Sequence, residues 1–207
     1  MRGRLRRLLG NDAFMNSREM IRRLLAPEAG AVILDTETTG LHDSAEVIEI
    51  GIIRAASGEV LCNQRFKPHG AMNPESLKIH GIRSDALAAC PRFAERIAEI
   101  RQIIEGVPVI AWYANFDKGR LRYEFTNAGA EFGRCFEDWH CASILYHRAV
   151  YGDTVLRVRL SGACEAEGVV HDNPHSALGD VYAVRRVLLS AWAGSGKLDA
   201  RLAAGLE

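Results

Sequence analysis

The sequence predicts an α/β fold in which helices flank a central mixed sheet. Three apolar segments, 31–36, 46–55 and 59–66, follow one another through short connections containing Gly40 and Ser57-Gly58, which is typical of an antiparallel meander. The second half of the chain carries mainly helical patterns around one or two further strands. With 207 residues and 48% hydrophobic content, the chain can bury a sizeable core as one domain.

The later elements are predicted from periodicity and helix boundary signals. A helix opens at Pro91 and runs through Glu105, where Gly106 ends it. Its apolar residues repeat at intervals of 4, 3 and 4: Phe93, Ile97, Ile100 and Ile104. A strand is predicted at 107–112, and helices are predicted at 117–128, 138–149, 160–167 and 176–193.

An acidic pair ends the first predicted strand, where Asp35-Thr36-Glu37 follows the apolar run 31–34. Side chains alternate along a strand, so Asp35 and Glu37 project from the same face, about 7 Å apart along the backbone. Hard divalent cations such as Mg²⁺ and Mn²⁺ prefer oxygen ligands, and Mg²⁺ usually keeps water and substrate phosphate in its shell. The pair therefore indicates a metal site for phosphate chemistry.

Two further segments deliver acid or imidazole to the end of an element. Asp117 follows the strand predicted at 107–112, and His175 and Asp180 stand at the start of the last predicted helix. Each has a structural alternative: His175 as a surface histidine, and Asp180 as a first-turn acid favoured by the helix dipole. Their combination with the acidic pair favours a shared site.

The ordered set Asp-x-Glu, Asp and His-x-x-x-x-Asp resembles the DEDDh 3′-to-5′ exonuclease family, also called DnaQ-like. The similarity runs from about Ala31 to Trp192 and includes the stretches 47–51 and 80–82. A related subclass has tyrosine four residues before the last Asp, where this chain has Ser176. The histidine subclass is therefore the one that fits.

The resemblance implies a ribonuclease H-like fold and two divalent ions, Mg²⁺ or Mn²⁺. The metal ligands would be Asp35, Glu37 and Asp180, with Asp117 assisting near the second ion. Two such ions can supply an activated water and stabilise the leaving oxygen in phosphodiester hydrolysis. An imidazole can accept a proton at neutral pH, so His175 would be the general base.

Substrate contacts are also carried over from the family. Thr38 would contact the 3′ end, Leu41 would pack against a base, and His80 and Phe116 are further candidates. Core packing is the alternative for Leu41 and Phe116. For His80 the alternative is the closing residue of a short helix whose end is marked by Gly81.

One pair departs from the family pattern. Members often carry His-Asn or Tyr-Asn where this chain has Trp112-Tyr113. The hydrogen bond of the usual Asn would be absent or supplied by Asn115. Trp112 is interpreted as a core aromatic at a strand end.

Three segments are expected: a basic helical extension at 1–30, an exonuclease domain at 31–193 and a tail at 194–207. The whole chain has zero formal charge, with 26 basic and 26 acidic residues, but the extension carries seven arginines against three acids, a net charge of +4. Apolar residues at helical spacing are Leu5, Leu8 and Leu9, then Met20, Ile21, Leu24 and Leu25. The extension could contact nucleic acid, a membrane or a protein, or pack on the domain.

Neither a membrane span nor a secretory signal is visible, and five scattered cysteines suit a reducing compartment, so a cytoplasmic location is expected. A zinc site at Cys135, His140, Cys141 and His147 is disfavoured because it lacks a Cys-x-x-Cys element.

The leading hypothesis is a metal-dependent exonuclease that releases nucleoside 5′-monophosphates from the 3′ end of single-stranded DNA, in proofreading or repair. Its partners would be those 3′ ends and a DNA polymerase subunit. One alternative is an exoribonuclease acting on RNA ends. The other is a noncatalytic nucleic-acid-binding polymerase-accessory subunit, against which the retained carboxylates argue.

Overall fold

A five-stranded mixed sheet organises the protein in a computed structural model that describes residues 16–152 and 158–194. The strands are β1 (Val32–Thr38), β2 (Val47–Arg54), β3 (Val60–Arg65), β4 (Val109–Ala111) and β5 (Trp139–Cys141). Their spatial order is β3-β2-β1-β4-β5. The first three strands pair antiparallel, while β4 and β5 run parallel to β1. The predicted mixed sheet with an antiparallel meander is confirmed.

Seven α-helices surround the sheet in the described part of the chain. They are α1 (Ser17–Leu25), α2 (Pro74–His80), α3 (Phe93–Ile104), α4 (Ala114–Asn127), α5 (Ala142–Tyr151), α6 (Leu160–Glu167) and α7 (Ala177–Ala193). None of them is long and apolar enough to span a bilayer.

Side chains that alternate along the strands contribute to two separate hydrophobic cores, one on each face of the sheet. On β1, Ile33 packs with α1, α5, α6 and α7, whereas Val32 and Leu34 face the opposite core with α3 and α4. The residues of β2 from Val47 to Ile53 are buried throughout, which explains the continuous apolar character of that segment. The sheet is therefore covered by helices on both faces.

Several predicted boundaries are wrong. The segment predicted as one helix at 138–149 is strand β5 followed directly by α5. Strand β5 is three residues long and is held by its parallel pairing with β4, which local sequence does not encode. Helix α4 begins at Ala114 instead of 117, and α3 begins at Phe93 instead of Pro91, where the Glu95 carboxylate accepts a hydrogen bond from the Arg92 backbone nitrogen at 2.6 Å.

The N-terminal spacing of Met20, Ile21 and Leu24 does form a helix, α1, whose Asn16 side chain accepts a hydrogen bond from the Arg18 backbone nitrogen. Its buried face lies on α5 and α7. Leu5, Leu8 and Leu9, and the tail beyond Gly194, lie outside the described residues. The division of the chain into extension, domain and tail stays a prediction.

Candidate active site

Asp35 and Glu37 occupy the carboxyl end of β1 on one face of the strand. Both side chains are half-buried, whereas the intervening Thr36 is buried, as the alternation of a strand requires. In the antiparallel register, Asp35 faces Gly51 and Glu37 faces Glu49 on β2. The predicted geometry of the acidic pair is therefore present.

Asp117 reaches the same edge from the neighbouring parallel strand. Since β1 and β4 are parallel, their carboxyl ends share one edge of the sheet, and α4 begins three residues after β4 ends. Asp117 lies buried in the first turn of α4, where the helix dipole favours a carboxylate. The Thr36 hydroxyl donates a hydrogen bond to Asp117 Oδ1 at 2.8 Å, which ties α4 to β1.

Asp180 comes from the first turn of α7, and Glu49 positions the start of that helix. The buried Glu49 carboxylate accepts hydrogen bonds from the Ala177 backbone nitrogen and from Arg65 Nε, each at 2.8 Å. Ser176 stands at the N-cap without a side-chain cap, so Glu49 supplies the acceptor that the helix start needs. The site thus depends on a carboxylate of β2.

Two glycines allow α7 and its preceding loop to approach the sheet closely. A Cβ on Gly51 would lie 2.6 Å from the Ala177 carbonyl carbon. A Cβ on Gly179 would lie 2.3 Å from the Asn173 carbonyl oxygen. Any larger residue at either position would force the backbone apart, so both glycines are required to bring Asp180 to the strand ends.

His175 lies on the loop before α7 with its backbone in the left-handed region, at φ +61°. Its side chain is exposed, and its ligand atom lies within 4.8 Å of carboxylate oxygens of Glu37 and Asp180. The predicted base and two predicted metal ligands are therefore neighbours, although Glu37 and His175 lie 138 positions apart in the sequence.

Burial and mutual repulsion raise the pKa values of the acidic residues. Burial raises the pKa of Asp35 well above its usual range, and the charge of Asp117 adds to this. Burial, with the charge of Asp180, raises the pKa of Glu37 to about 8. Burial also raises the pKa of Asp117 to about 7, although the Thr36 hydrogen bond opposes the shift. A bound cation would stabilise the ionised form of these partly buried carboxylates.

The donor set fits hard divalent ions. Carboxylate oxygens of Glu37 and Asp180 and the imidazole of His175 come within 4.8 Å of one another, a ligand set that Mg²⁺ and Mn²⁺ accept. Asp35 and Asp117 lie outside this cluster but close enough to it for their charges to interact. By contrast, no clustered ligand set forms around Cys135 and His147 within residues 16–152 and 158–194. His140 pairs instead with Asp138 at 2.8 Å.

The four predicted substrate residues lie in different environments. Leu41 is 77% exposed on the connection between β1 and β2, and Phe116 is half-buried in the first turn of α4. Thr38 is buried and its hydroxyl donates to the Gly40 carbonyl oxygen at 2.7 Å. His80 ends α2, as its alternative interpretation requires, and its Nδ1 accepts a hydrogen bond from the Ile82 backbone nitrogen.

The departure at Trp112-Tyr113 serves packing. The Trp112 side chain is buried, and its Nε1 and the Tyr113 hydroxyl both donate to the Val158 carbonyl oxygen, at 3.0 and 2.9 Å. Asn115 is exposed, and among the described residues no hydrogen bond joins its side chain to the acidic site. The interpretation of Trp112 as a core aromatic is confirmed.

Two contributors to the site were missed. Glu49 belongs to a stretch that carries the family resemblance, and a carboxylate inside an otherwise apolar strand was the signal that could have identified its role. His171 Nε2 lies 2.7 Å from Asp180 Oδ1, but nothing local distinguishes His171 from a surface histidine. Its contact depends on the fold of the loop before α7.

This sheet order, with helices on both faces and acidic side chains at the strand ends and first helical turns, is a ribonuclease H-like fold. Sequence comparison identifies the family. A family model described as exonuclease, and named after RNase T, matches residues 32–188. The chain belongs to this DnaQ-like exonuclease family, and the resemblance inferred from its motifs is confirmed.

Individual relatives cover different shares of the chain. The epsilon subunit of DNA polymerase III from Escherichia coli K12 is 33% identical over 104 residues, which are 46% of this chain and 43% of that protein. An exonuclease of Escherichia phage 186 that is described as uncharacterized is 32% identical over 165 residues, 74% of this chain and 83% of that protein.

Among solved structures, an E. coli exonuclease I complex with single-stranded DNA matches with a TM-score of 0.68 and 21% identity, over 84% of this chain and 42% of that one. This likeness shows the fold. The chain spans less than half the length of the epsilon subunit and of exonuclease I.

Proposed function

We propose that this protein is a 3′-to-5′ exonuclease that uses divalent metal to hydrolyse single-stranded DNA to nucleoside 5′-monophosphates. The observation that carries the proposal is the convergence of Glu37, Asp180 and His175, whose ligand atoms lie within 4.8 Å of one another. The relationship to a polymerase III epsilon subunit and the fold shared with exonuclease I, solved with dT13, support the direction and the substrate.

The residues divide between metal binding and proton transfer. Asp35, Glu37 and Asp180 would hold two ions, Mg²⁺ or Mn²⁺, with Asp117 beside the second. When bound, the two ions supply charge neutralisation and activation of the attacking water. His175 is exposed beside Glu37 and Asp180, so its imidazole can accept the proton of that water and pass it to solvent.

The terminal nucleotide would lie between the acidic residues and the connection after β1. Leu41 would pack against a base through its exposed side chain, and the half-buried ring of Phe116 offers a second apolar surface. Thr38 and His80 would border the 3′ end. The Thr38 hydroxyl already donates a hydrogen bond to the Gly40 carbonyl oxygen, so Leu41 is the better first target for mutation.

A polymerase partner and a cytoplasmic location are parts of the same proposal. Their support is the relationship to the epsilon subunit of DNA polymerase III. The proposed direction of hydrolysis suits a role in proofreading or repair, because both processes remove nucleotides from 3′ ends.

The test is hydrolysis of 3′-labelled and 5′-labelled single-stranded DNA, and of matched RNA, with Mg²⁺, Mn²⁺ or EDTA. Asp35→Ala and His175→Ala are compared with Asp85→Ala, since Asp85 is exposed and pairs with Arg83. We expect a metal-dependent ladder that shortens from the 3′ end, abolished by Asp35→Ala and reduced about 10²- to 10⁴-fold by His175→Ala. Asp85→Ala should behave as wild type.

Each other outcome has a definite meaning. Preference for RNA over DNA would replace the proposed substrate while keeping the chemistry. Hydrolysis that survives Asp35→Ala unchanged would refute the site. Absence of hydrolysis of both polymers, with intact binding of single strands, would make the protein a noncatalytic nucleic-acid-binding subunit.

A further inference from the structure

The connection between β1 and β2 holds its most apolar residue out into solvent. Leu41 is 77% exposed, and the flanking residues 42–44 are also exposed. The ends of the connection are paired, since the Thr39 backbone nitrogen donates to the Glu46 carbonyl oxygen at 2.9 Å. We call residues 40–45 the Leu41 loop. An exposed leucine can act on a nucleobase only if its loop keeps a defined position.

Helix α4 supports this loop with a buried arginine. Arg120 is 7% exposed, and one of its terminal nitrogens donates to the His42 carbonyl oxygen. Its other terminal nitrogen lies 3.7 Å from Asp43 Oδ1. Its guanidinium carbon lies 5.5 Å from the centroid of the Phe116 ring. Burying a guanidinium is costly, and these contacts offset part of that cost, while the Arg120 Nε is buried without a hydrogen-bond partner among the described residues.

A second buried charged residue supports the other end of the loop from the same helix. Glu124 follows Arg120 by one helical turn, and its Oε1 accepts a hydrogen bond from the Val47 backbone nitrogen at 2.8 Å. The two side chains therefore hold the carbonyl of His42 and the amide of Val47. Polar groups of α4 fix the loop on both sides of its exposed tip.

The same helix also carries Asp117 of the acidic site. Arg120 lies three residues after Asp117, so both side chains project from one face of α4. A rigid helix thus sets the position of the Leu41 loop relative to a metal-binding carboxylate.

We propose that Arg120 is a positioning residue for the terminal nucleotide: it holds the Leu41 loop, and with it the Leu41 side chain, in register with the acidic site. The proposal rests on the proposed exonuclease function. In this proposal Arg120 acts through Leu41 and not by touching the nucleotide itself. Removing the guanidinium then weakens binding of a single-stranded 3′ end more than it slows the chemical step.

The test compares Leu41→Ala, Arg120→Met, Arg120→Lys and the double variant Leu41→Ala/Arg120→Met. Arg122→Met is the matched control, because Arg122 lies on the same helix but stacks on Phe132 and Phe136. The kinetic readouts are kcat and KM on a single-stranded oligonucleotide. The binding readout is the fluorescence of 2-aminopurine at the 3′ terminus with Ca²⁺ in place of Mg²⁺, which reports unstacking of that base.

We expect Arg120→Met and Leu41→Ala each to raise KM on the order of tenfold, with a smaller change in kcat, and to reduce the fluorescence rise on binding. The double variant should be no worse than the poorer single variant. Arg120→Lys keeps a cation near His42 without the planar stack, so its KM should lie between wild type and Arg120→Met. Arg122→Met should match wild type.

Hydrogen exchange provides a readout that does not depend on activity. The amides of residues 40–46 should exchange faster in Arg120→Met than in wild type or Arg122→Met. If Arg120→Met does not fold by thermal melting, the same comparisons are made with Arg120→Lys.

Two results would overturn the inference while leaving the exonuclease proposal intact. One is an active wild type whose KM and loop exchange are unchanged by Arg120→Met. The other is a double variant whose KM effect equals the product of the two single effects, which would make Arg120 and Leu41 independent. Lack of hydrolysis of DNA and RNA by the wild type would refute the exonuclease proposal, and this inference with it.

Discussion

Asp180 illustrates how single side chains are oriented at this site. Its Oδ1 accepts hydrogen bonds from His171 Nε2 at 2.7 Å and from the His175 backbone nitrogen at 3.2 Å. The two histidines therefore play different parts: His171 holds the carboxylate with its ring, whereas the His175 ring remains exposed. A partner that orients a metal-binding carboxylate commonly affects metal affinity.

Replacement of His171 by leucine should therefore weaken metal binding at Asp180. We expect the Mg²⁺ concentration for half-maximal hydrolysis to rise about 10- to 100-fold in His171→Leu. The measurement is the initial rate on single-stranded DNA across a Mg²⁺ titration. His140→Leu is the control, since His140 of β5 makes a similar contact with Asp138. An unchanged Mg²⁺ dependence in His171→Leu would show that Asp180 needs no support from its neighbour.

At the scale of elements, the decisive contact is the approach of α7 to β2. Gly51 leaves room for the Ala177 backbone, whose nitrogen donates to Glu49. A side chain at position 51 would push the start of α7 outward, and Asp180 and His175 would move with it. The helix that carries Asp180, and with it the loop that carries His175, is thus placed by the absence of a side chain on β2.

Gly51→Ala should damage stability and activity together. We expect a loss of about 1–3 kcal/mol in the free energy of unfolding, because the new methyl group overlaps backbone atoms. Urea denaturation and the hydrolysis rate are the two measurements. Gly162→Ala is the control: it lies within α6 with open space around it, so we expect a gain of about 0.5–1 kcal/mol. Wild-type stability in Gly51→Ala would mean that α7 has room to shift.

Elements with strong local signals were predicted well, and those held by tertiary contacts were not. The acidic pair of β1 was placed correctly because strand alternation is a local property. Strand β5 was missed because three residues paired to β4 give no periodic signal. The early start of α4 was missed because Tyr113 precedes it without a side-chain cap. The role of His171 depends on a loop with positive φ at Asn173 and His175, which no residue pattern announced.

Across the whole molecule, the formal charge is balanced, but acidic side chains are concentrated in one partly buried cluster. Lysines and arginines equal acidic residues in number, yet carboxylates from β1, α4 and α7 collect at one edge of the sheet. Glu124 adds a further buried carboxylate, and burial raises its pKa to about 7. In the absence of a divalent ion, this arrangement opposes folding whenever the carboxylates ionise.

The stability of the metal-free protein should consequently fall as pH rises. Burial raises the pKa of Glu37 to about 8 and that of Asp117 to about 7, above the values near 4 of an unfolded chain. Below about pH 4 these groups are protonated in both states and cost the folded state nothing. Above that, the unfolded chain loses its protons first, so folding stability declines until the folded groups have also ionised, near pH 8.

Thermal melting in EDTA from pH 5 to pH 9 measures this decline in stability. Mg²⁺ should raise the melting temperature more at pH 9 than at pH 6, because the ion binds ionised carboxylates. Glu37→Gln should flatten the EDTA profile between pH 5 and pH 8, because it removes a group that is ionised in the unfolded chain but still protonated in the folded protein over that range. Thr126→Val, on the exposed end of α4, should leave the profile unchanged. A wild-type melting temperature that stayed level or rose with pH in EDTA would show that the acidic cluster does not destabilise the metal-free protein. The main electrostatic reason for the protein to bind a divalent ion would then be lost.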